Sequence, residues 1–234
     1  MIKKEELIQR SPMRILEQSI HGGLNPGEIG IIASLSGIGK TSVLVQLALD
    51  KLLQGKKVIH VSFSRHTDHV LTWYEDIFNE FIGKKNIENA AEIKDELVKN
   101  RVLMNFNQDG ITQAQVLKSL KAMIVEGGFA AEAIIIDGFD FSRADQDRVA
   151  NVKAVAKELG LSVWYSCTAK EKEFDKQNIP FVVKDFVNFI DVVIVMEPKH
   201  NYIELSVSKY REPSEAKAPA LRLDPKTLLI KEKE

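Results

Sequence analysis

The chain has 234 residues, of which 44% are hydrophobic and 28% charged, and its formal net charge is −1. This balance predicts one globular domain over residues 1–234, and the near-neutral charge excludes a general affinity for nucleic acid or an anionic membrane. No apolar run reaches the ~18 residues of a membrane span, and the single Cys167 excludes an internal disulfide. Because the first ten residues mix acids with bases and lack an apolar run, we predict no secretory signal and a cytoplasmic protein.

The first predicted elements lead to a strand, a glycine-rich turn and a helix. Residues 1–28 are predicted as an N-terminal lead-in segment with a short helix over Met13–Ile20. The apolar run Ile29–Ala33 predicts a buried strand, and the small residues of Ser34–Gly39 predict a turn. Apolar residues at helical spacing then predict a helix over Lys40–Gly55, with the glycine as its stop signal.

Strands and helices alternate along the rest of the chain. The strands are predicted from apolar and β-branched runs, and the helices from apolar residues at helical spacing. The predicted strands are Lys57–Phe63, Arg101–Phe106, Ala133–Asp137, Leu161–Cys167, Asp191–Met196 and Tyr202–Lys209, and the predicted helices are Asp68–Ile82, Asn86–Asn100, Thr112–Val125, Asp145–Leu159 and Val182–Phe189. This order predicts an α/β fold with a mainly parallel sheet, helices on both faces, and an antiparallel C-terminal edge closed by Leu221–Ile230.

The turn after the first strand has the composition of a phosphate-binding loop. Its backbone N–H groups and the following helix N-terminus make an anion site, and Gly37 and Gly39 let the backbone approach the phosphates. Lys40 is placed to reach the β- and γ-phosphates, and the Thr41 hydroxyl to bind Mg²⁺. The candidate nucleotide-binding residues are Ser36, Gly37, Ile38, Gly39, Lys40, Thr41 and Ser42.

One position departs from the G-x-x-x-x-G-K-[ST] pattern, because Ser34 stands where the first glycine is expected. Serine fits there if its φ is negative, whereas a strained turn costs about 1 kcal/mol or more. The alternative interpretation of the whole segment is a strand-to-helix connection that is glycine-rich without binding a ligand.

A candidate magnesium ligand ends a later strand. Asp137 follows the apolar run Ala133–Ile136, so a buried strand would hold its carboxylate at the same sheet edge as the glycine-rich turn. A carboxylate at that edge orients Mg²⁺ across from Thr41. The alternative is an aspartate that begins a turn before Gly138.

The order of these segments resembles the RecA-like P-loop ATPases. The resemblance rests on the segments IHGGLNPGEIGIIASLSGIGKTSVLVQLAL, KVIHVSF, AIIIDGFD, SVWYSC, DVVIVMEP and IELSVSKYREP. It is nearest to the branch of DnaB-type replicative helicases, RadA/Sms repair ATPases and KaiC-type clock ATPases, and covers nearly the whole chain. It implies a RecA-like fold, ATP and Mg²⁺ as ligands, and Lys40, Thr41 and Asp137 as nucleotide and magnesium residues. It also implies a homo-oligomer such as a hexamer and leaves an unidentified protein partner open.

The resemblance also matches Lys209 and Arg211 to a late K-x-R pair. The family uses that pair in trans, at the γ-phosphate held by the neighbouring subunit. Alternation along an extended segment puts both side chains on the same side, where cations stabilise charge that develops in phosphoryl transfer. The alternative interpretation is two solvated surface charges.

Several positions depart from the family pattern. The family's water-activating glutamate follows the second strand, where this chain has Ser64 and Arg65, and the first carboxylate there is Asp68. Asp68, Asp140 or a relaxed water network is the expected replacement, since serine is not a general base at neutral pH without help. At the polar sensor position the chain has Cys167, for which Thr168 is the expected substitute.

Two further segments bear on metals and nucleic acid. His66, Asp68 and His69 have the composition of a metal site, but an N-cap role for Thr67 or Asp68 is the favoured interpretation. The segment 170–178 matches the DNA-contacting loop of the helicases, but its three bases and three acids cancel. Backbone neutralisation needs several unopposed cations, so the charge does not support nucleic acid as a partner.

Four hypotheses follow. The first is a slow Mg-dependent ATPase of RecA-like fold that acts as an oligomer. The second is a catalytically degenerate nucleotide-binding regulatory or scaffold module, the third a DNA- or RNA-associated motor, and the fourth transfer of the γ-phosphate to a protein hydroxyl. ATP and GTP are equally compatible with the loop, because it contacts phosphates rather than the base.

Overall fold

The structure is a computed structural model, and it describes residues 3–9, 11–63, 68–83, 87–107, 109–170, 173–211 and 221–232. These residues form an α/β fold around one nine-stranded mixed sheet. The strands are β1 (Ile29–Ser34), β2 (Lys57–Ser62), β3 (Arg101–Asn105), β4 (Ala131–Asp137), β5 (Ser162–Thr168), β6 (Val192–Pro198), β7 (Ile203–Tyr210), β8 (Leu221–Leu223) and β9 (Ile230–Glu232). The α-helices are α1 (Lys4–Gln9), α2 (Met13–Ser19), α3 (Lys40–Leu53), α4 (Asp68–Ile82), α5 (Ala90–Lys99), α6 (Gln113–Lys121) and α7 (Gln146–Glu158).

The sheet order places β1 at the centre of the fold. The order is β3-β2-β4-β5-β1-β6-β7-β8-β9, with parallel pairing from β3 to β6 and antiparallel pairing from β6 to β9. This confirms the predicted mainly parallel sheet with an antiparallel C-terminal edge. The chain leaves β1 toward β2 on one side and returns on the other side with β6. Such a divergence opens a crevice at the carboxyl ends of the strands.

Apolar side chains alternate along the strands and fill a core on each face of the sheet. On one face, residues such as Ile32 and Ile135 pack with α2, α3, α4 and α5. On the other face, residues such as Ile31 and Ile134 pack with α6 and α7. The predicted helices therefore cover both faces. Among the described residues, no helix combines the length and apolar character that crossing a membrane requires.

The element boundaries follow local signals in most places. Helix α4 has the predicted bounds, and α6 begins after Thr112, whose side chain forms a capping box with Gln115. The predicted helix Thr112–Val125 ends in a π-helical turn, Ala122–Glu126, and the predicted short helix near residue 182 is the 3₁₀ helix Phe181–Phe189.

One predicted helix was wrong in extent. The predicted helix Asn86–Asn100 begins only at Ala90, because Asn89 adopts a left-handed φ of 57°. The segment Leu221–Ile230 closes the sheet as predicted, as the two short strands β8 and β9. Helix α1 was not predicted, since six residues contain too little apolar periodicity to be recognised.

Candidate functional site

The glycine-rich turn joins the carboxyl end of β1 to the N-terminus of α3. Gly37 and Gly39 have φ values of 78° and 102°, a region that residues with a Cβ adopt only under strain. A Cβ on Gly37 would meet nothing within 4 Å, so the backbone there faces open space. Gly39 is the N-cap residue of α3, and the first helical residues, Lys40 and Thr41, follow it directly. The turn therefore presents helix N–H groups toward the crevice.

Lys40 folds back over this turn. Its Nζ donates to the carbonyl oxygen of Leu35 at 2.8 Å and to the hydroxyl of Ser34 at 3.2 Å, and only 9% of the residue is exposed. Burial lowers the pKa of the Lys40 ammonium, while the nearby Cys167 and Asp137 act in the opposite direction. Lys40 is thus a partly desolvated cation whose hydrogen-bond acceptors are neutral oxygens. An anion in the crevice can replace these oxygens as the acceptor.

Ser34 causes no strain where the pattern expects glycine. It is the last residue of β1 and is not among the described residues with positive φ. Its hydroxyl donates to the Leu35 carbonyl at 3.0 Å and accepts the hydrogen bond from Lys40. The serine thus meets the condition for this position, and it also anchors the lysine.

Thr41 and Asp137 meet across the sheet edge. The Thr41 hydroxyl donates to a carboxylate oxygen of Asp137 at 2.8 Å. Thr41 follows β1 and the turn, Asp137 ends β4, and β5 lies between these two strands. Both residues provide hard oxygen ligands, the kind that Mg²⁺ prefers, and Mg²⁺ usually keeps several waters and binds substrate phosphates in addition. The pair therefore fits a magnesium ion, and the structure brings together the two residues that the sequence proposed for this role.

A cleft of about 390 Å³ opens over the turn and this pair, within the ~300–1,000 Å³ of small-molecule sites. The turn and the ends of β2, β4 and β5 form its polar side, and the first turns of α4 form a wall. Its lining residues are Ser36, Gly37, Gly39, Lys40, Thr41, Ser62, Phe63, His69, Val70, Trp73, Asp137, Gly138, Ser166, Thr168 and Leu228.

The α4 wall is anchored by a buried polar contact. The Tyr74 hydroxyl and His60 Nδ1 lie 3.1 Å apart, both residues are buried, and the Arg101 guanidinium stacks on the Tyr74 ring at 4.1 Å. His60 Nε2 is buried without a hydrogen-bond partner among the described residues. Burial lowers the pKa of His60 to about 4, so the ring is neutral at pH 7.

The C-terminal hairpin closes the other end of the cleft, a feature that the sequence did not indicate. Leu228, with a left-handed φ of 55°, accepts hydrogen bonds at its carbonyl from the Ser42 hydroxyl at 3.0 Å and from Gln46 Nε2 at 2.9 Å. Gln46 Oε1 also accepts the Ile230 N–H at 2.8 Å. The Ser42 side chain therefore holds the hairpin, and only its backbone amide remains for the predicted nucleotide contact. Gln46, which is fully buried one helical turn from Ser42, is the sequence signal for this contact.

At the end of β5 the structure separates the two sensor candidates. Cys167 is fully buried in the core, and burial raises the pKa of its thiol to about 12. Thr168 is exposed and lines the cleft, as does Ser166, whose hydroxyl accepts the Gly138 N–H at 2.8 Å. Thr168, not Cys167, is the residue that faces the cleft.

The candidates for a replacement general base have different fates. Asp140 does not line the cleft. Its carboxylate caps the 3₁₀ turn Phe141–Arg143, accepting from the Ser142 amide at 3.0 Å. Ser64, Arg65, His66 and Thr67 lie outside the described residues, and α4 begins at Asp68, whose side chain is likewise outside them. The described residues contain no group of three His, Cys, Asp or Glu side chains that could hold a metal.

The segment 170–178 lies outside the described residues at 171–172. Its later part is fixed by Asp175, whose carboxylate accepts the Gln177 and Ile179 amides at 2.8 and 2.9 Å. The Lys170 ammonium lies 4.0 Å from the Glu173 carboxylate, so at least one cation of the segment 170–178 has an acidic neighbour.

Lys209 and Arg211 lie at the opposite edge of the sheet from the cleft. Lys209 pairs with Val193 near the start of β6, and its Nζ donates to the carbonyls of Ile190 and Arg211. A strand of six residues spans about 20 Å, so neither cation reaches the cleft of its own chain.

Arg211 is engaged within the chain as well. Strand β7 ends at Tyr210, and Arg211 has a left-handed φ of 45°, so the predicted alternation stops before it. Its Nε and Nη2 donate to the two carboxylate oxygens of Glu28 at 2.7 and 3.1 Å. The two cations therefore do not point at one shared anion, contrary to the prediction from alternation.

Neither a protein-family model nor a curated protein sequence matches this chain. The functional argument therefore depends on the residues of the cleft.

Proposed function

We propose that the chain is a RecA-like P-loop protein that binds ATP with Mg²⁺ in this cleft and hydrolyses it slowly as a homo-oligomer. The observation that carries the proposal is the 2.8 Å hydrogen bond between Thr41 and Asp137, set beside a glycine turn and a buried lysine. These groups are the phosphate cradle, the metal ligands and the cation that a bound triphosphate requires.

Each residue has a defined task in this proposal. Amides of residues 36–42 donate to the phosphate oxygens, and the α3 N-terminus adds a partial positive charge. Lys40 Nζ exchanges the carbonyl of Leu35 for a β- or γ-phosphate oxygen. Thr41 and Asp137 hold Mg²⁺, which neutralises charge on the phosphates when it is bound.

Lys209 and Arg211 enter the proposal only through a neighbouring subunit. Since both lie at the far sheet edge, a contact with a γ-phosphate requires the cleft of a second copy. Arg211 would also have to leave Glu28, and Lys209 its backbone carbonyls. Turnover that depends on these residues is therefore expected to rise with protein concentration.

A second candidate function is a nucleotide-binding regulatory or scaffold module without turnover. It is favoured by the shortage of carboxylates in the cleft. Among the described lining residues, Asp137 has the only carboxylate, and that carboxylate is hydrogen-bonded to Thr41. A carboxylate in that pairing is not free to accept a proton from water.

One experiment separates these functions. Calorimetry measures binding of ATP and of GTP with Mg²⁺, and phosphate release is followed on the same sample at several protein concentrations, with and without single-stranded DNA. Binding with concentration-dependent release supports the ATPase, and binding without release supports the module. Stimulation by DNA would favour a motor, and absence of binding would exclude all three.

A further inference from the structure

His69 lies on the α4 wall of the cleft that Thr41 and Asp137 also line. It is the second residue of α4, which follows β2 after a short connection, and its side chain is exposed and lines the cleft. The last residue of β2, Ser62, is the register partner of Asp137 in β4. The strand that leads to α4 therefore ends beside Asp137.

Helix α4 holds this position firmly. It packs on α3 through the shared core, and Tyr74 ties it to the buried His60 of β2 at 3.1 Å. Because α3 carries Lys40 and Thr41, the same packing fixes His69 relative to the residues proposed to hold the phosphates and Mg²⁺. A side chain on a packed helix is positioned more precisely than one on a loop.

Among the described lining residues, His69 is the side chain whose chemistry suits proton transfer. Asp137 is paired with Thr41, and Lys40 is a cation. The remaining polar side chains among the described lining residues are hydroxyls, which do not act as bases at neutral pH without an activating partner. An imidazole accepts a proton in this range and is the commonest general base in enzymes.

We propose that His69 is the catalytic residue that orients the attacking water and accepts its proton, in the role that the family resemblance assigns to a glutamate; this rests on the proposed function. The water oxygen forms a bond to the γ-phosphorus while the bond from that phosphorus to the β,γ-bridging oxygen breaks. The leaving electron pair stays on ADP, and one water proton passes to an imidazole nitrogen and then to solvent. Among the described lining residues, the charged side chains that share the cleft with His69 are Lys40 and Asp137.

The test compares His69→Ala and His69→Glu with the wild type, and uses His200→Ala as a matched control. His200 is an exposed histidine in the turn between β6 and β7, outside the cleft. Single-turnover phosphate release is measured from pH 5 to 9, calorimetry gives the Kd for ATP with Mg²⁺, and circular dichroism checks folding.

We expect His69→Ala to slow release by roughly 10²–10⁴-fold with a Kd within about twofold of the wild type. In the wild type the rate falls at acidic pH. In His69→Glu the rate recovers in part and this acid limb moves to lower pH by roughly 2 units, because a carboxyl is the stronger acid. The control behaves as the wild type.

An unchanged rate in His69→Ala, or an acid limb that stays in place in His69→Glu, would overturn the assignment. Wild-type protein that binds ATP but releases no phosphate would also overturn it, while leaving nucleotide binding intact. If the wild type binds no nucleotide, the proposed function itself fails, so the two failures are distinguishable.

Discussion

The hydroxyl of Thr41 and the carboxylate of Asp137 lie 2.8 Å apart although 96 residues separate them in the chain. Parallel strands make this possible, because the carboxyl ends of β1 and β4 share one edge of the sheet. The contact joins the start of α3 to the end of β4, and the proposed function depends on this contact.

Asp137→Asn should remove most of the magnesium dependence of ATP binding. An amide oxygen can still accept the Thr41 hydrogen bond, so the fold is retained, but a neutral ligand binds Mg²⁺ more weakly. Mg²⁺ should raise the affinity for ATP at least 10-fold less in the variant than in the wild type. Ten-fold is the lower end of the losses in metal affinity that follow mutation of residues hydrogen-bonded to metal ligands. Calorimetry with Mg²⁺ and with EDTA measures it, and Asp147→Asn on exposed α7 is the control. An equal gain in both variants would contradict the magnesium assignment.

Lys40→Ala should weaken ATP binding by about 10–100-fold, the value of a charged hydrogen bond of ~1.5–3 kcal/mol. Lys40 is only 9% exposed as a residue, and its ammonium lies beside the turn, so no solvent cation replaces it. Lys56→Ala, at a half-exposed position after α3 and outside the cleft, provides the matched control. Titration calorimetry gives both Kd values, and equal affinities would mean that Lys40 serves the fold alone.

His60 should make the fold acid-sensitive. Burial lowers the pKa of His60 to about 4 in the folded chain, against about 6.5 for an exposed imidazole. Between pH 6.5 and pH 4, His60 is protonated in the unfolded chain but not in the folded one. The free energy of unfolding therefore falls as the pH drops through this range, by at most about 3 kcal/mol. Urea denaturation at pH 7, 5.5 and 4.5 should show a shallower fall for His60→Gln than for the wild type. Parallel curves would rule out His60 as the cause.

Gly30 should be essential for packing within the sheet. A Cβ at Gly30 would lie 2.4 Å from the ring of Trp164, its register partner in β5. We expect Gly30→Ala to lower the free energy of unfolding by about 1–3 kcal/mol, as overpacking does. Gly110→Ala, which has no atom closer than 3.9 Å and a φ outside the left-handed region, is the control. Denaturant titration measures both, and equal stability would show that Trp164 can move aside.

The Glu28–Arg211 ion pair should stabilise the fold above the pKa of the carboxyl. Burial alone would raise the pKa of Glu28, but hydrogen bonds from Arg211 and Asn25 outweigh it and hold the pKa below 4.5. A lowered folded pKa gives stability that is present above the unfolded value and is lost as the pH falls through the folded one. Glu28→Gln should therefore cost about 1 kcal/mol at pH 7 and progressively less below pH 4.5. A gap that is constant with pH would contradict this account.

Local patterns predicted most of the elements and the chemistry of the cleft. The bounds of α4 and the turn before Lys40 followed from spacing and glycine position, because these signals lie within a few residues of each other. Asp137 was found for the same reason, since an apolar run that ends in a carboxylate is a local pattern.

Other features depended on contacts between distant segments. The sequence did not reveal that Leu228 caps the cleft, that Cys167 faces the core while Thr168 faces the ligand side, or that Asp140 lies outside the cleft. Each of these depends on which face of a strand or turn meets which neighbour, and a shift of one residue reverses that face.

By itself the sequence determined the strand, turn and helix of the proposed anion site, since backbone geometry and glycine conformations are set by neighbours in the chain. The tertiary structure alone decided that Thr41 and Asp137 meet and that Lys209 and Arg211 lie about 20 Å away at the other edge. The reason is strand order: parallel strands bring their carboxyl ends together whatever their separation in sequence, and an antiparallel partner places its own carboxyl end at the opposite edge.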